Sequence, residues 1–301
     1  MKNAQLKKFL VSFVFLLSCV YSHAQEEDEI IKVDSSIVIV NAIVTDKNGN
    51  PILGLKRDAF RLFVDGVEEP IVSFSAEETP FAAVILIDTS GSMERQISLA
   101  RSAAINFLNG LRSEDTVAIY NFDSKVSMVQ DFSNSRYIDD AIFDLSAKGM
   151  TVLNDAIYEA AQLLAQRPEK RRAIIVLSDG ADTRSKTTAD KALKASLAAN
   201  AMIYTVDMSP MNASEREKLQ NRNVLRNFAE KSGGFFIETP GGQALRDAFK
   251  NVVTELGSQY TLTFQLPESK MDGKWHTIEV RVNREGVKVR ARKGFNAPNK
   301  K

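Results

Sequence analysis

Oxygen-bearing side chains follow two apolar runs and precede a third helical stretch in this chain. Ala82–Ile87 leads into Asp88-Thr89-Ser90-Gly91-Ser92, and Ala173–Leu177 leads into Ser178-Asp179-Gly180. Between them, the loop Ala147-Lys148-Gly149-Met150-Thr151 precedes a helix. Asp88 and Asp179 supply carboxylates, and Ser90, Ser92 and Thr151 supply hydroxyls. A donor set of oxygen alone, without nitrogen or sulfur, suits a hard cation such as Mg²⁺ or Mn²⁺. Ser90 and Ser92 are spaced so that a turning loop can aim both hydroxyls inward, with Gly91 permitting the turn. Taken singly, each piece is bland: Ser-Gly-Ser makes local turns, Asp179-Gly180 is a turn, and Thr151 caps a helix. Their succession points to a cation site.

Such a site needs strands that end on one side of a sheet, where ligands of open α/β sheets gather. Ala82–Ile87 and Ala173–Leu177 are continuously apolar, as strands covered on both faces are. Helical spacing recurs through Ile97, Ala100, Ala104, Phe107 and Leu111, and again through Leu153, Ala156, Ile157, Ala160, Leu163 and Leu164. Further strands are expected at 117–120, 201–207 and 234–238, a weaker one at 126–129, and helices near 135–145, 187–199, 223–231 and 241–256. This alternation predicts a doubly wound, mostly parallel sheet. Residues 33–79 and 258–295 read instead as β, with turns at Asn48-Gly49, Asp65-Gly66, Asp272-Gly273 and Glu285-Gly286. Neither flank has enough strands to stand alone. One β-sandwich built from both flanks, with the α/β domain inserted between them, satisfies both.

The chain of 301 residues has 39 basic and 38 acidic residues, so nothing electrostatic points to nucleic acid. One Cys and two His exclude a disulfide framework and Cys/His zinc sites. Lys2, Lys7 and Lys8, the short apolar run 9–17 and Ser22-His23-Ala24 form a signal peptide. Cleavage after Ala24 leaves 277 residues, no Cys and a net charge of −2. The apolar run is too short to span a bilayer, and no later run is long enough. An exported bacterial protein, periplasmic or secreted, is expected. In the competing reading, Leu16-Leu17-Ser18-Cys19 is a lipobox and Cys19 anchors an outer-membrane lipoprotein. The expected organisation is signal peptide 1–24, acidic leader 25–32, first sandwich half 33–79, inserted domain 80–257, second half 258–295 and tail 296–301.

The three motifs in order, Asp-x-Ser-x-Ser, Thr and Asp, resemble the von Willebrand factor A domain and its metal-ion-dependent adhesion site. The resemblance spans about residues 81–257 and implies a six-stranded sheet with one antiparallel edge strand. It implies that Ser90, Ser92 and Thr151 ligate the metal, while Asp88 and Asp179 hold it mainly through water. Met150 departs from the pattern, since relatives often carry a second Gly before the Thr. The flanking Val44-Thr45-Asp46, Gly49, Pro51, Gly54-Leu55, Asp58-Ala59-Phe60 and Asp65-Gly66 resemble bacterial secreted "VWFA-related" proteins, as does Val289–Phe295. The resemblance implies a protein partner that offers an Asp or Glu carboxylate, and in related domains the last helix is coupled to the metal site.

Enzymatic readings fit less well. Asp88-Thr89-Ser90 resembles an aspartyl-phosphatase loop, but Ser90 stands where that family needs a second Asp. A Ser-His-Asp hydrolase would need His276, expected at the surface. Asp46-Lys47-Asn48 lacks the glycine position and closing Glu of a calcium loop. Arg167–Arg172 reads as a charged turn, Trp275 as sandwich core, and Met208, Pro210 and Met211 as loop packing near the strand ends. The chain is therefore expected to bind rather than catalyse, as an adhesion-type module; an assembly or scaffold subunit of an envelope complex is the alternative, and a metal-dependent hydrolase a more distant one.

Overall fold

Phe81–Asp88 is buried at every position, as expected of a strand in a sheet covered on both faces. The computed structural model describes residues 37–300 except 77, 138–139, 211–212 and 239–241. The expected signal peptide, the acidic leader and Cys19 lie outside the described residues. In chain order the strands and helices are β1 (Ile37–Thr45), β2 (Phe60–Val64), β3 (Val67–Glu69), β4 (Ile71–Ser75), β5 (Phe81–Asp88), α1 (Ile97–Asn109), β6 (Thr116–Phe122), β7 (Val126–Ser133), α2 (Leu153–Ala165), β8 (Arg171–Ser178), α3 (Ala189–Ala198), β9 (Ala201–Asp207), α4 (Glu215–Ser232), β10 (Phe236–Glu238), α5 (Gly242–Gly257), β11 (Tyr260–Gln265), β12 (Trp275–Val282), β13 (Lys288–Ala291) and β14 (Gly294–Asn296).

The central sheet has the order β10-β9-β8-β5-β6-β7. Its pairings are parallel except that of β7, the edge strand, with β6. Successive side chains of a strand point to opposite faces. Ala83, Ile85 and Ile87 therefore pack with Phe107 of α1 and Phe249 of α5. Ala82, Val84 and Leu86 pack with Ile157 of α2, Leu193 of α3 and Phe228 of α4.

The flanks form two four-stranded sheets, β13-β1-β11-β4 and β14-β12-β2-β3. Each sheet mixes strands from before and after the inserted domain. Val40 faces Leu262 across the β1–β11 pair, and Leu62 faces Val280 across β2–β12. All four side chains enter one shared core. A small sheet gains stability by sharing a hydrophobic face, and here each flank supplies what the other lacks.

Arginines join the inserted domain to the sandwich. Arg171, at the start of β8, is wholly buried. It donates to Gly257 O at 2.7 Å and also to Gln259 O, gripping the short link from α5 into β11. Burial, with Arg112 nearby, brings its guanidinium down to about 10. Arg290 of β13 pairs with Glu255 of α5 and donates to Gly233 O at 2.9 Å. Arg292 donates to Leu197 O at 3.0 Å.

Several local expectations are corrected. A helix is expected at 135–145, but among the described residues of that range the helical segment is a 3₁₀ turn, Asp140–Ile142. Ser133 and Ser135 hydroxyls instead accept the backbone N–H groups of Ser135 and Tyr137, local bonds that compete with a helix. Helix α4 begins at Glu215, well before residue 223. Its first turns are polar and carry no apolar stripe, but Ser214 caps the helix: its hydroxyl accepts Glu217 N–H at 3.3 Å and donates to the Glu217 carboxylate at 2.7 Å. Arg171 is a buried clamp rather than part of a charged turn. Trp275 is 40% exposed rather than core, and His276 is buried rather than on the surface. These neighbours in β12 face opposite ways, and the sandwich interior took the imidazole.

Candidate metal centre

Asp88 closes β5 and is fully buried. One carboxylate oxygen accepts Ser90 N–H at 2.9 Å and the other accepts the Ser178 hydroxyl at 2.6 Å. Burial raises the acid to about 7 against these hydrogen bonds, and the charge of Asp179 adds to the rise. Among the described residues, no Lys or Arg forms an ion pair with Asp88 or Asp179. Two acids thus sit close together without a cationic side chain to compensate them.

The loop after β5 turns through a short 3₁₀ segment, Gly91–Met93. This turn brings Ser90 Oγ within 3.2 Å of Ser92 Oγ. The chain is anchored behind them by Thr89, whose N–H donates to Phe122 O at 2.8 Å. Gly91 N–H donates to Gly149 O at 3.3 Å and Lys148 N–H to Thr89 O at 2.8 Å, tying the serine loop to the threonine loop. Gly149 has φ +85°, and a Cβ there would lie 2.8 Å from Ser124 Oγ; conformation and space both call for glycine. Met150, the departure from the family pattern, is half exposed on the rim, its sulfur 3.5 Å from Arg184 Nη1.

Thr151 is buried just before α2. Its N–H donates to Thr183 Oγ1 at 2.9 Å, and its carbonyl accepts Thr183 and Arg184 N–H groups. Asp179 is buried one residue beyond β8, with a carboxylate oxygen accepting Ala181 N–H at 3.0 Å. Ser90, Ser92, Thr151 and Asp179 line one cleft of about 660 Å³, together with Pro210 and Glu217. The carboxyl of Asp88 is reached through its bonds to Ser90 and Ser178. The five residues picked out from the sequence are thus gathered at the carboxyl ends of β5 and β8. Met208 is buried and Pro210 lines the cleft, while Met211 lies outside the described residues.

Sequence reasoning missed Ser178 and Thr183. The signal for Ser178 is register: Ile87 lies beside Leu177 in the parallel β5–β8 pair, so Asp88 and Ser178 come next. Thr183 has no comparable signal, because its role depends on the fold of a loop. His276 belongs elsewhere. It sits in the sandwich with Nδ1 2.7 Å from Asp65 Oδ2 and Nε2 3.0 Å from Asp272 Oδ1. Hydrogen bonding to Asp65 raises its basicity against the effect of burial, and Asp272 adds to the rise.

A doubly wound six-stranded sheet with one antiparallel edge and oxygen side chains converging at its carboxyl ends defines an α/β domain of the von Willebrand factor A type. Residues 83–181, about a third of the chain, match the family model of the von Willebrand factor type A domain. The fold is similar to that of an aerotolerance-related membrane protein from Bacteroides fragilis, at 19% identity over 59% of this chain and 98% of that one, TM-score 0.46. A von Willebrand factor type A protein from Catenulispora acidiphila is similar at 14% identity over 88% and 74% of the two chains, TM-score 0.49. The vWF domain of the type V pili tip protein Mfa5 from Porphyromonas gingivalis is similar at 14% identity over 59% and 95%, TM-score 0.46. No curated protein matches the chain.

Proposed function

We propose that this chain is an exported binding module that captures a carboxylate of a partner protein at a Mg²⁺- or Mn²⁺-loaded site. Ser90, Ser92 and Thr151 would hold the ion directly, and Asp88 and Asp179 mainly through water. The observation that carries this reading is the wholly buried Asp88, bonded to Ser90 N–H and the Ser178 hydroxyl and repelled by the charge of Asp179, with no cationic side chain paired to either acid among the described residues. Uncompensated buried charge is costly, and a hard cation among oxygen donors offsets it.

Neutral hydroxyls leave much of the ion's charge uncancelled, so when bound it supplies a Lewis-acidic position that favours an anionic oxygen. The protein's own part is positional. Asp88 fixes the Ser90 backbone, Gly149 shapes the approach to Thr151, and the cleft lined by Pro210 and Glu217 receives the partner's surface. No turnover is proposed, because His276, the one His of the chain after residue 24, is held by two aspartates in the sandwich. Among the described residues no helix is long and apolar enough to cross a membrane. Export rests on residues 1–24, with Cys19 as the site of a lipid anchor in the less favoured form.

A pull-down from the native envelope tests the reading. The full chain should capture a partner that EDTA releases and that Ser90→Ala/Ser92→Ala fails to hold. Capture that resists both treatments would replace this reading with a metal-independent scaffold.

A further inference from the structure

A second cavity, of about 710 Å³, lies between α3 and the sandwich and shares no lining residue with the strand-end cleft. Leu193 and Leu197 of α3 and the indole of Trp275 give it apolar walls. The indole is seated by the backbone around it. A Cβ on Gly294 would fall 2.5 Å from Trp275 Cζ2, so the glycine of β14 makes the space in which the ring lies. Trp275 nevertheless remains 40% exposed, a large aromatic residue left open to solvent.

Lysines from separate elements surround this surface: Lys194 on α3, Lys231 on α4, Lys274 before β12 and Lys293 before β14. All four are exposed. The acidic side chain among the lining residues is Asp190, 3.5 Å from Lys194, and Lys274 lies 3.8 Å from Asp272. Among the described residues Lys231 and Lys293 form no ion pair, which leaves the cavity with surplus positive charge.

Concave apolar sites with a few charged groups are the usual form of binding pockets. The type and placement of the charges narrow the ligand. Lysine is a flexible, strongly hydrated point charge without the fixed fork of arginine. Four such groups, exposed and carried by different elements, match negative charge spread along a chain better than one compact phosphate. We propose that this cavity binds an acidic segment of a partner protein, with an apolar side chain against Trp275 and flanking Asp or Glu residues among the lysines. The assignment is independent of the metal site.

Trp275 is the single tryptophan of the chain, so its fluorescence reports on the cavity directly. The full chain would be titrated with the peptide acetyl-Glu-Asp-Phe-Asp-Glu-amide. A saturable change is expected, weakened about tenfold by Lys231→Glu/Lys293→Glu, weakened by added salt and unaffected by EDTA. Both substitutions are at exposed positions, and circular dichroism checks that the fold persists. The proposal is overturned if no saturable change occurs, if charge reversal leaves it intact, or if EDTA abolishes it. An equal response to the same peptide with Ser in place of Phe, or to sodium phosphate, also overturns it. So does a response to phosphatidylglycerol vesicles alone, which would make the surface a membrane contact.

Discussion

The Ser178 hydroxyl donates to Asp88 Oδ2 at 2.6 Å, joining the ends of the two central strands beneath the cleft. The bond is buried at both ends. Ser178→Ala would leave a carboxylate oxygen without its partner, a loss of about 1–3 kcal/mol for a buried polar atom. Urea unfolding in EDTA should show that loss, and an unchanged midpoint would mean that the bond contributes nothing.

Metal binding gives the second prediction. Calorimetry with Mg²⁺ or Mn²⁺ should show binding to the native chain and none to Asp88→Ala/Ser90→Ala, whose circular dichroism should remain native. Unaltered affinity in that variant would refute the ligand assignment.

Arg171→Met tests the clamp between β8 and the α5–β11 link. The methionine fills part of the space but leaves Gly257 O and Gln259 O without their donor. Hydrogen bonds from a charged group are worth about 1.5–3 kcal/mol, so a stability loss of at least about 2 kcal/mol is expected in denaturant. A loss below about 0.5 kcal/mol, as at an ordinary surface site, would show that the clamp is not a support.

His276 sets a pH dependence. Its basicity is raised in the fold by Asp65 and Asp272, so the stability it adds is full below its unfolded value of about 6.5. That contribution is lost as pH rises through the raised folded value. Asp65 acts with the opposite sense. Burial would raise its carboxyl, but bonds from His276, Lys270 and Thr277 hold it well below the usual range, so its contribution is lost on acidification. The stability gap between the native chain and His276→Gln, followed by urea midpoints, should be steady from about pH 5 to 6.5 and shrink above it. A gap that widens toward alkaline pH would contradict the sign.

The inserted domain was legible in the sequence because its signals are local and strong. The apolar run before Asp88 could be buried only between two helical layers, and the Leu153–Leu164 stripe matches α2. The placement of the five candidate residues was legible because they stand at strand and helix ends, where chain order alone puts them. Ser178 required register, and Arg171 required knowledge of what crosses the far end of β8. Trp275 and His276 fall on the sides opposite to those expected, because alternation in a strand says that neighbours part, not which one turns inward. The polar start of α4 lacked an apolar stripe, and only the Ser214–Glu217 capping pair marked it.

The two-part sandwich also sets the order in which this chain can mature. Val40 and Leu262 face each other but stand 222 positions apart, so β1 and β4 emerge long before β11, the strand that lies between them. Contacts of such range are slow to form, and strands waiting for them expose edges that invite aggregation. The inserted domain, whose neighbouring strands β5, β6 and β7 are successive in the chain, can fold first and draw its own two ends toward each other. It thereby acts as the template on which its host sandwich closes. Substitutions in its core should therefore slow closure of the sandwich, a module in which those residues take no part.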